Sequence, residues 1–296
     1  VDRGSDPTQW ENAAQAMRVL DEARIPYAVA RGNGDMSGDP ARENFDRCFP
    51  AERYRNRPEF GGTFEGSVEN SWWRFEASGI RFMVVVLEFG PRTIVLEWAN
   101  ALIAQHPAER VLIVTHSYMN HDDTRVGPGD RWNPHTYQRE NDGDDMWEKC
   151  VRRHPNVFLV LSGHICADGA GRLTSRGDHG QVVHQILANY QMEPPQGGNG
   201  WLRLLTFRTG DGHLQVRTFS PVLQRWNADA EHEFTLECGP LAGGLLPLFK
   251  TQHGEEPGYP GCIPELAADA KRKDTNSTSF TSEGMPPELE LYPGSV

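Results

Sequence analysis

The chain has 296 residues, with 29 Lys and Arg against 41 Asp and Glu, so its formal charge is 29 − 41 = −12. That length fits one large α/β domain or two small ones with a real core, and the acidic balance, with no Lys/Arg stripe to offset it, excludes a nucleic-acid binder that works by neutralising phosphates. No apolar run approaches the roughly 18 residues of a membrane helix, so a soluble protein is expected, and five widely spaced cysteines without a CxxC pair exclude a zinc finger or a dense disulfide framework.

The sequence opens on Val1 with no targeting segment ahead of it, and the expectation is a processed chain or a piece of a longer one. Asp6-Pro7-Thr8 starts a helix predicted over Thr8 to Ala23, with Ala13, Ala14, Met17, Val19 and Leu20 as its apolar stripe. A short strand, Tyr27 to Ala30, is expected to deliver Asn33-Gly34-Asp35. From Met36 to about Asn70 the Gly/Pro/Arg-rich composition predicts a long loop with one short helix at Ala41 to Cys48. Strands at Ser71 to Ala77 and Ile80 to Leu87 flank Ser78-Gly79, a hairpin turn. Of the Trp72-Trp73 pair, one ring is expected in the core.

A helix follows at Val95 to Ala104. The fully apolar runs Val111 to Val114 and Val157 to Leu161 read as buried strands of a parallel or mixed sheet. Between them lie a polar loop, about Asn120 to Asn141, and a helix over Asp144 to Arg153 whose first-turn carboxylates suit the helix dipole. Asp122-Asp123 and Asp142 to Asp145 read as solvated loop charge, and His121, His135, His154 and His179 as ordinary loop or helix-end residues. The pattern then turns to strands: Leu173-Thr174, Gln181 to Tyr190, Trp201 to Arg208 and His213 to Phe219, the last two joined through Gly210-Asp211-Gly212. Residues 239–296 hold eight of the 21 prolines and no periodicity, and a mostly disordered Pro/Gly-rich tail is expected there.

Three strands end in a residue able to hold a metal: Asn33 after Tyr27 to Ala30, His116 after Val111 to Thr115, and Gly163-His164 after Val157 to Ser162. In open α/β sheets the ligand site lies beyond the carboxyl ends of the strands. A carbonyl oxygen and two imidazoles converging there suit a borderline divalent ion such as Zn, Mn or Fe. His184, on a strand near that edge, is a weaker substrate contact.

Val1-Asp2-Arg3-Gly4, Gly32-Asn33-Gly34-Asp35, Thr115-His116-Ser117-Tyr118 and Ser162-Gly163-His164 occur in the order found in calcineurin-like metallophosphoesterases. With Glu88-Phe89-Gly90-Pro91-Arg92 and Leu187-Ala188-Asn189-Tyr190-Gln191, the chain resembles that family from Val1 to about Gln224. The resemblance implies a four-layer α/β/β/α sandwich over residues 1–238, lacking its first strand, and hydrolysis of phosphomonoesters or phosphodiesters at a two-metal site. It further implies that Asn33, His116 and His164 are ligands of one metal and that Cys166 stands where a second-metal histidine is usual. It assigns Asp2 and Asp35 to catalysis and Arg3 to the substrate's phosphate, and it takes Gly163 as the glycine that lets the backbone turn before the histidine.

This chain departs from the family pattern in three ways. The first metal's Asp, His and bridging Asp are not in the sequence, GNHD is here GNGD so that Gly34 replaces the proton-donating histidine, and GHxH ends in Cys166. The implied count is two Mn, Fe or Zn ions in the family and at most one here. The expected partner is a small phosphoester, neither nucleic acid nor membrane. An extracytoplasmic location follows from the resemblance alone. The alternative is a non-catalytic, truncated or pseudoenzyme member that binds a ligand or partner. A cysteine hydrolase built on Cys166 and His116 fits poorly, since nothing marks Cys166 as an activated thiolate.

Overall fold

The computed structural model describes residues 1–36, 41–194, 197–208 and 210–239. These hold α1 (Pro7–Glu22), α2 (Ala41–Cys48), α3 (Thr93–Gln105) and α4 (Gly143–Lys149), with β1 (Phe60–Phe64), β2 (Ser67–Ala77), β3 (Ile80–Leu87), β4 (Arg110–Thr115), β5 (Val157–Ser162), β6 (Ala170–Arg176), β7 (Val182–Ala188), β8 (Leu202–Arg208), β9 (His213–Ser220), β10 (Arg225–Asn227) and β11 (Phe234–Glu237). The protein is a mixed α/β fold. None of the described helices is long and apolar enough to cross a membrane.

Local chemistry sets most of the boundaries. Asp6 caps α1 by accepting from the Thr8 N–H, with Pro7 in the first turn where its missing N–H costs nothing. Ser78 (φ 53°) and Gly79 (φ 76°) both adopt the left-handed conformation that a two-residue hairpin needs, so Ala77 pairs with Ile80 and β2 runs antiparallel to β3. Asp142 and Asp145 close a reciprocal capping box at the start of α4.

The larger sheet has seven strands in the order β1-β2-β3-β4-β5-β7-β6. Strands β3, β4, β5 and β7 are parallel neighbours, and β1, β2 and β6 run antiparallel at the two flanks. The period-2 alternation of β3 sends Met83, Val85 and Leu87 to one face, where they meet Val95, Leu96, Ala99 and Ile103 of α3 and Met146 and Trp147 of α4. The opposite face carries Phe82, Leu112, Phe158 and Ile186 against Leu214 and Val216 of a second, four-stranded sheet built around β9. Toward β2 that face is covered by Trp10 of α1 and Phe45 of α2, with Phe49 and Tyr54, packed on Trp73 and Val86. Each such fully buried side chain contributes about 1.5–3 kcal/mol. Trp73 is the core member of the tryptophan pair, at 4% exposure.

Several expectations change. Tyr27 to Ala30 is not a strand: among the described residues no segment pairs with it, and a strand exists only through a ladder. The stretch read as loop holds β1, and β2 begins at Ser67 rather than Ser71. The helix expected over Asp144 to Arg153 ends at Lys149, and a 3₁₀ turn continues over Val151–Arg153. Asp142 is not solvated charge but 1% exposed, because both of its carboxylate oxygens are taken up by the cap and by Asn133. The tail from residue 240 onward lies outside the described residues.

Candidate metal and phosphoester site

The parallel strands of the large sheet all point their carboxyl ends at one edge, and the residues just beyond them gather there. Phe89 follows β3, His116 follows β4, His164 follows β5 and Asn189 follows β7. The His116 and His164 rings lie 4.8 Å apart between centroids, with the Phe89 ring at 5.5 Å and 5.1 Å from them. Asn33 reaches the same place from the bend just before a 3₁₀ turn, Gly34–Met36, its Oδ1 2.8 Å from His116 Nε2. Three of the sequence-predicted ligands are therefore brought together.

Backbone conformation aims each ring. Gly32 is packed on the His116 imidazole so closely that a Cβ there would lie 2.9 Å from its Cε1, and this close approach requires glycine. The sharp turn expected at Gly163 is instead made by His164, whose φ of 67° is left-handed and sparsely populated for a side chain other than glycine or asparagine. Gly163 itself donates its N–H to the His116 carbonyl at 2.9 Å, tying the ends of β4 and β5 together. Trp132, also left-handed at φ 61°, offers its carbonyl to His164 Nε2 at 3.0 Å.

Burial keeps both imidazoles neutral. It lowers His116 to about 3, helped by the facing His164. Burial likewise lowers His164 to about 4, the bond to the Trp132 carbonyl opposing it. A neutral imidazole is the form that ligates a metal, and a backbone carbonyl on one ring nitrogen is how ligating histidines are commonly oriented. The 2.8 Å between His116 Nε2 and Asn33 Oδ1 is slightly less than the roughly 3.0–3.4 Å between two donors sharing one ion at about 2.1 Å. The Asn33 and His116 donors would share a divalent cation after a small opening, with the His164 ring beside them.

The other predicted residues sit at varying distances from this cluster. The Asp35 carboxylate is committed locally, accepting from the Val1 amino group at 2.5 Å and from the Gly32 N–H at 2.8 Å, and so it shapes the turn that presents Asn33. Asp2 and Arg3 have side chains 74% and 69% exposed and pair with each other at 3.9 Å, and the Asp2 main chain lies against Gly34. Cys166 is half-buried, its sulfur 3.3 Å from Gln191 Nε2 and 3.7 Å from Asn189 Nδ2. Burial pushes its thiol up despite those donors. His184 does not face the site; it is 4% exposed and bridges Thr174 of the large sheet to the Glu237 carbonyl of the second.

A different cluster, unforeseen from sequence, places His135, Asp142 and Asp145 donors within 4.8 Å of one another, close enough to hold a metal ion. His135 Nε2 is 3.2 Å from Asp145 and its Nδ1 3.8 Å from Asp142. The same carboxylates build the α4 capping box, and Lys149 lies 2.7 Å from Asp145. Sequence reading also missed Phe89, Trp132 and Tyr137 beside the imidazoles. Tyr137 belongs to a short 3₁₀ turn, Pro134–Tyr137, and its ring stands edge-on 5.7 Å from His164 and 5.3 Å from Phe89. The spacing of the polar loop carries no signal that could have placed it there.

No protein-family model matches the chain. The uncharacterized protein YvnB of Bacillus subtilis (strain 168) is 29% identical to it over 234 residues, which cover 77% of this chain and 17% of YvnB. The chain thus spans about a sixth of the length of that curated relative.

Proposed function

We propose that the chain is a metal-dependent phosphoester hydrolase of the calcineurin-like type, with the four-layer α/β/β/α arrangement of that family. The observation that carries this reading is the convergence of Asn33, His116 and His164 at the carboxyl edge of the large sheet, two of them at the ends of adjacent parallel strands. Asn33 Oδ1, His116 Nε2 and the His164 nitrogen not taken by Trp132 would hold one Mn, Fe or Zn ion. Such an ion supplies Lewis-acid polarisation of a phosphoryl oxygen and lowers the pKa of a bound water. The chain's own part is to keep the imidazoles neutral and to fix them through Gly32 and the Trp132 carbonyl. The net charge of −12 favours small phosphomonoesters or diesters over polyanions.

One observation favours a second reading, a module that binds a phosphoester without turning it over. A Cβ at Gly34 would lie 2.7 Å from the Val1 carbonyl oxygen, so the position where the family carries its proton donor is filled by main chain. A missing general acid typically costs 10²- to 10⁴-fold in rate.

The test is metal stoichiometry after loading with Mn, Fe or Zn, with His116→Ala as control and His135→Ala to count the second cluster separately, followed by hydrolysis of bis(4-nitrophenyl) phosphate. One ion lost with His116→Ala, together with turnover, supports the hydrolase. The same ion without turnover supports the binding module. No ion dependent on His116 refutes both.

A further inference from the structure

The groups packed on the two imidazoles include the Asn33 carboxamide, the Trp132 carbonyl, the Gly32 main chain, and the rings of Phe89 and Tyr137. Of these, Tyr137 alone carries a hydroxyl. Its side chain is 37% exposed, and the hydroxyl makes no hydrogen bond to a described residue. The turn that presents it is firmly held. Asn133 caps the turn by accepting from the His135 N–H at 2.8 Å and donates to the Gly127 carbonyl at 2.7 Å and to Asp142 at 2.9 Å. Gln138, left-handed at φ 58°, ends it. The ring is thus fixed against His164, and its hydroxyl is left without a hydrogen-bond partner among the described residues.

Three other candidate sources of a proton or hydrogen bond at this edge are spent, while the Arg131 guanidinium stacks on the Trp132 ring. Gly34 has no side chain and no room for one, Asp35 is held by the Val1 amino group and the Gly32 N–H, and the Cys166 sulfur is faced by Gln191 and Asn189. That leaves the Tyr137 hydroxyl as a donor held beside His164.

Resting on the phosphoester-hydrolase reading above, we infer that Tyr137 touches the substrate, its O–H donating a hydrogen bond to the ester oxygen that leaves. As water oxygen bonds to phosphorus and gives its proton to solvent, the P–O ester bond breaks. The electron pair stays on the leaving oxygen, whose growing charge the phenol hydrogen bond stabilises, and solvent supplies the proton that completes the alcohol. A hydrogen bond to a developing charge matters most for a poor leaving group and least for a good one, so the phenol extends the substrates of this site beyond activated esters to those of less acidic alcohols.

The experiment compares the Mn-loaded full chain with Tyr137→Phe on phenyl methyl phosphate and 4-nitrophenyl methyl phosphate, and measures orthovanadate affinity by calorimetry. Tyr137→Phe should lower kcat about 10- to 100-fold on the phenyl ester and less than about 3-fold on the 4-nitrophenyl ester, and weaken orthovanadate about 10-fold, with the metal count unchanged. An equal loss on both esters, or none on either, overturns the Tyr137 assignment and leaves the hydrolase reading standing. Failure of the loaded wild-type chain to hydrolyse either ester overturns both.

Discussion

Holding His116 and His164 neutral makes the protein acid-sensitive by an amount that can be worked out. Both have an ordinary imidazole value of 6.5 once unfolded, against about 3 and about 4 in the fold. Below pH 6.5 the unfolded chain takes up protons that the folded chain refuses, so folding stability is full above that pH and falls as the pH drops toward the folded values. At pH 5 each histidine has lost about 1.5 units × 1.36 kcal/mol, or about 2 kcal/mol, and the two together about 4 kcal/mol. The figure depends little on the folded values, because both lie below 5. It is a large share of the roughly 5–15 kcal/mol that holds a domain together.

The assay is urea unfolding at pH 7.5 and pH 5 in the presence of chelator, for the wild-type chain and for His116→Gln/His164→Gln. Asp21, Glu88 and Asp145 are held below the usual carboxylate range by arginine or lysine partners and hydrogen bonds that outweigh burial, so they stay ionised at pH 5 in both proteins. His154, His184 and His232, also lowered chiefly by burial, cancel in the comparison. The wild-type chain should lose about 4 kcal/mol more than the double variant between the two pH values. An equal loss in both proteins would refute the claim that the two imidazoles are buried neutral.

Three further outcomes follow from local geometry. A Cβ at Gly61 would lie 2.3 Å from the Trp72 ring, so Gly61→Ala should cost about 1–3 kcal/mol in thermal or urea unfolding and disturb the near-ultraviolet signal of the tryptophans. Gly34→His should not install a proton donor, because the added side chain meets the Val1 carbonyl; a similar loss of about 1–3 kcal/mol is expected, with no gain in phosphoester hydrolysis. Asp142→Ala removes the capping box of α4 and should cost about 1–2 kcal/mol with or without chelator. A cost that appears only when a divalent metal is present would assign the His135, Asp142, Asp145 cluster to metal binding instead.

The Asp6 start of α1, the Ser78-Gly79 turn and the apolar runs of β4 and β5 were legible in the sequence, because each rests on interactions within a few residues. The same is true of the histidines at strand ends: a buried parallel strand announces itself, and the next residue beyond it must lie at the carboxyl edge. So His116 and His164 could be named before any coordinates; Asn33 was named for a strand that does not form, and its 2.8 Å contact with His116 comes from the tertiary structure.

What only the tertiary structure decided depends on partners far along the chain. Tyr27 to Ala30 has strand-like residues but finds no neighbour among the described residues, whereas the glycine-rich β1 becomes a strand because β2 lies beside it. Asp142 is charged by sequence and buried by context, since Asn133 and the α4 N–H groups replace water around its carboxylate. The left-handed turn falls on His164 rather than Gly163, and Trp132 and Tyr137 reach the imidazoles from a loop with no periodicity. Local sequence sets backbone preferences and the facing of side chains along one element; which loop closes over a strand end is set by packing across the whole sheet, and composition does not encode that.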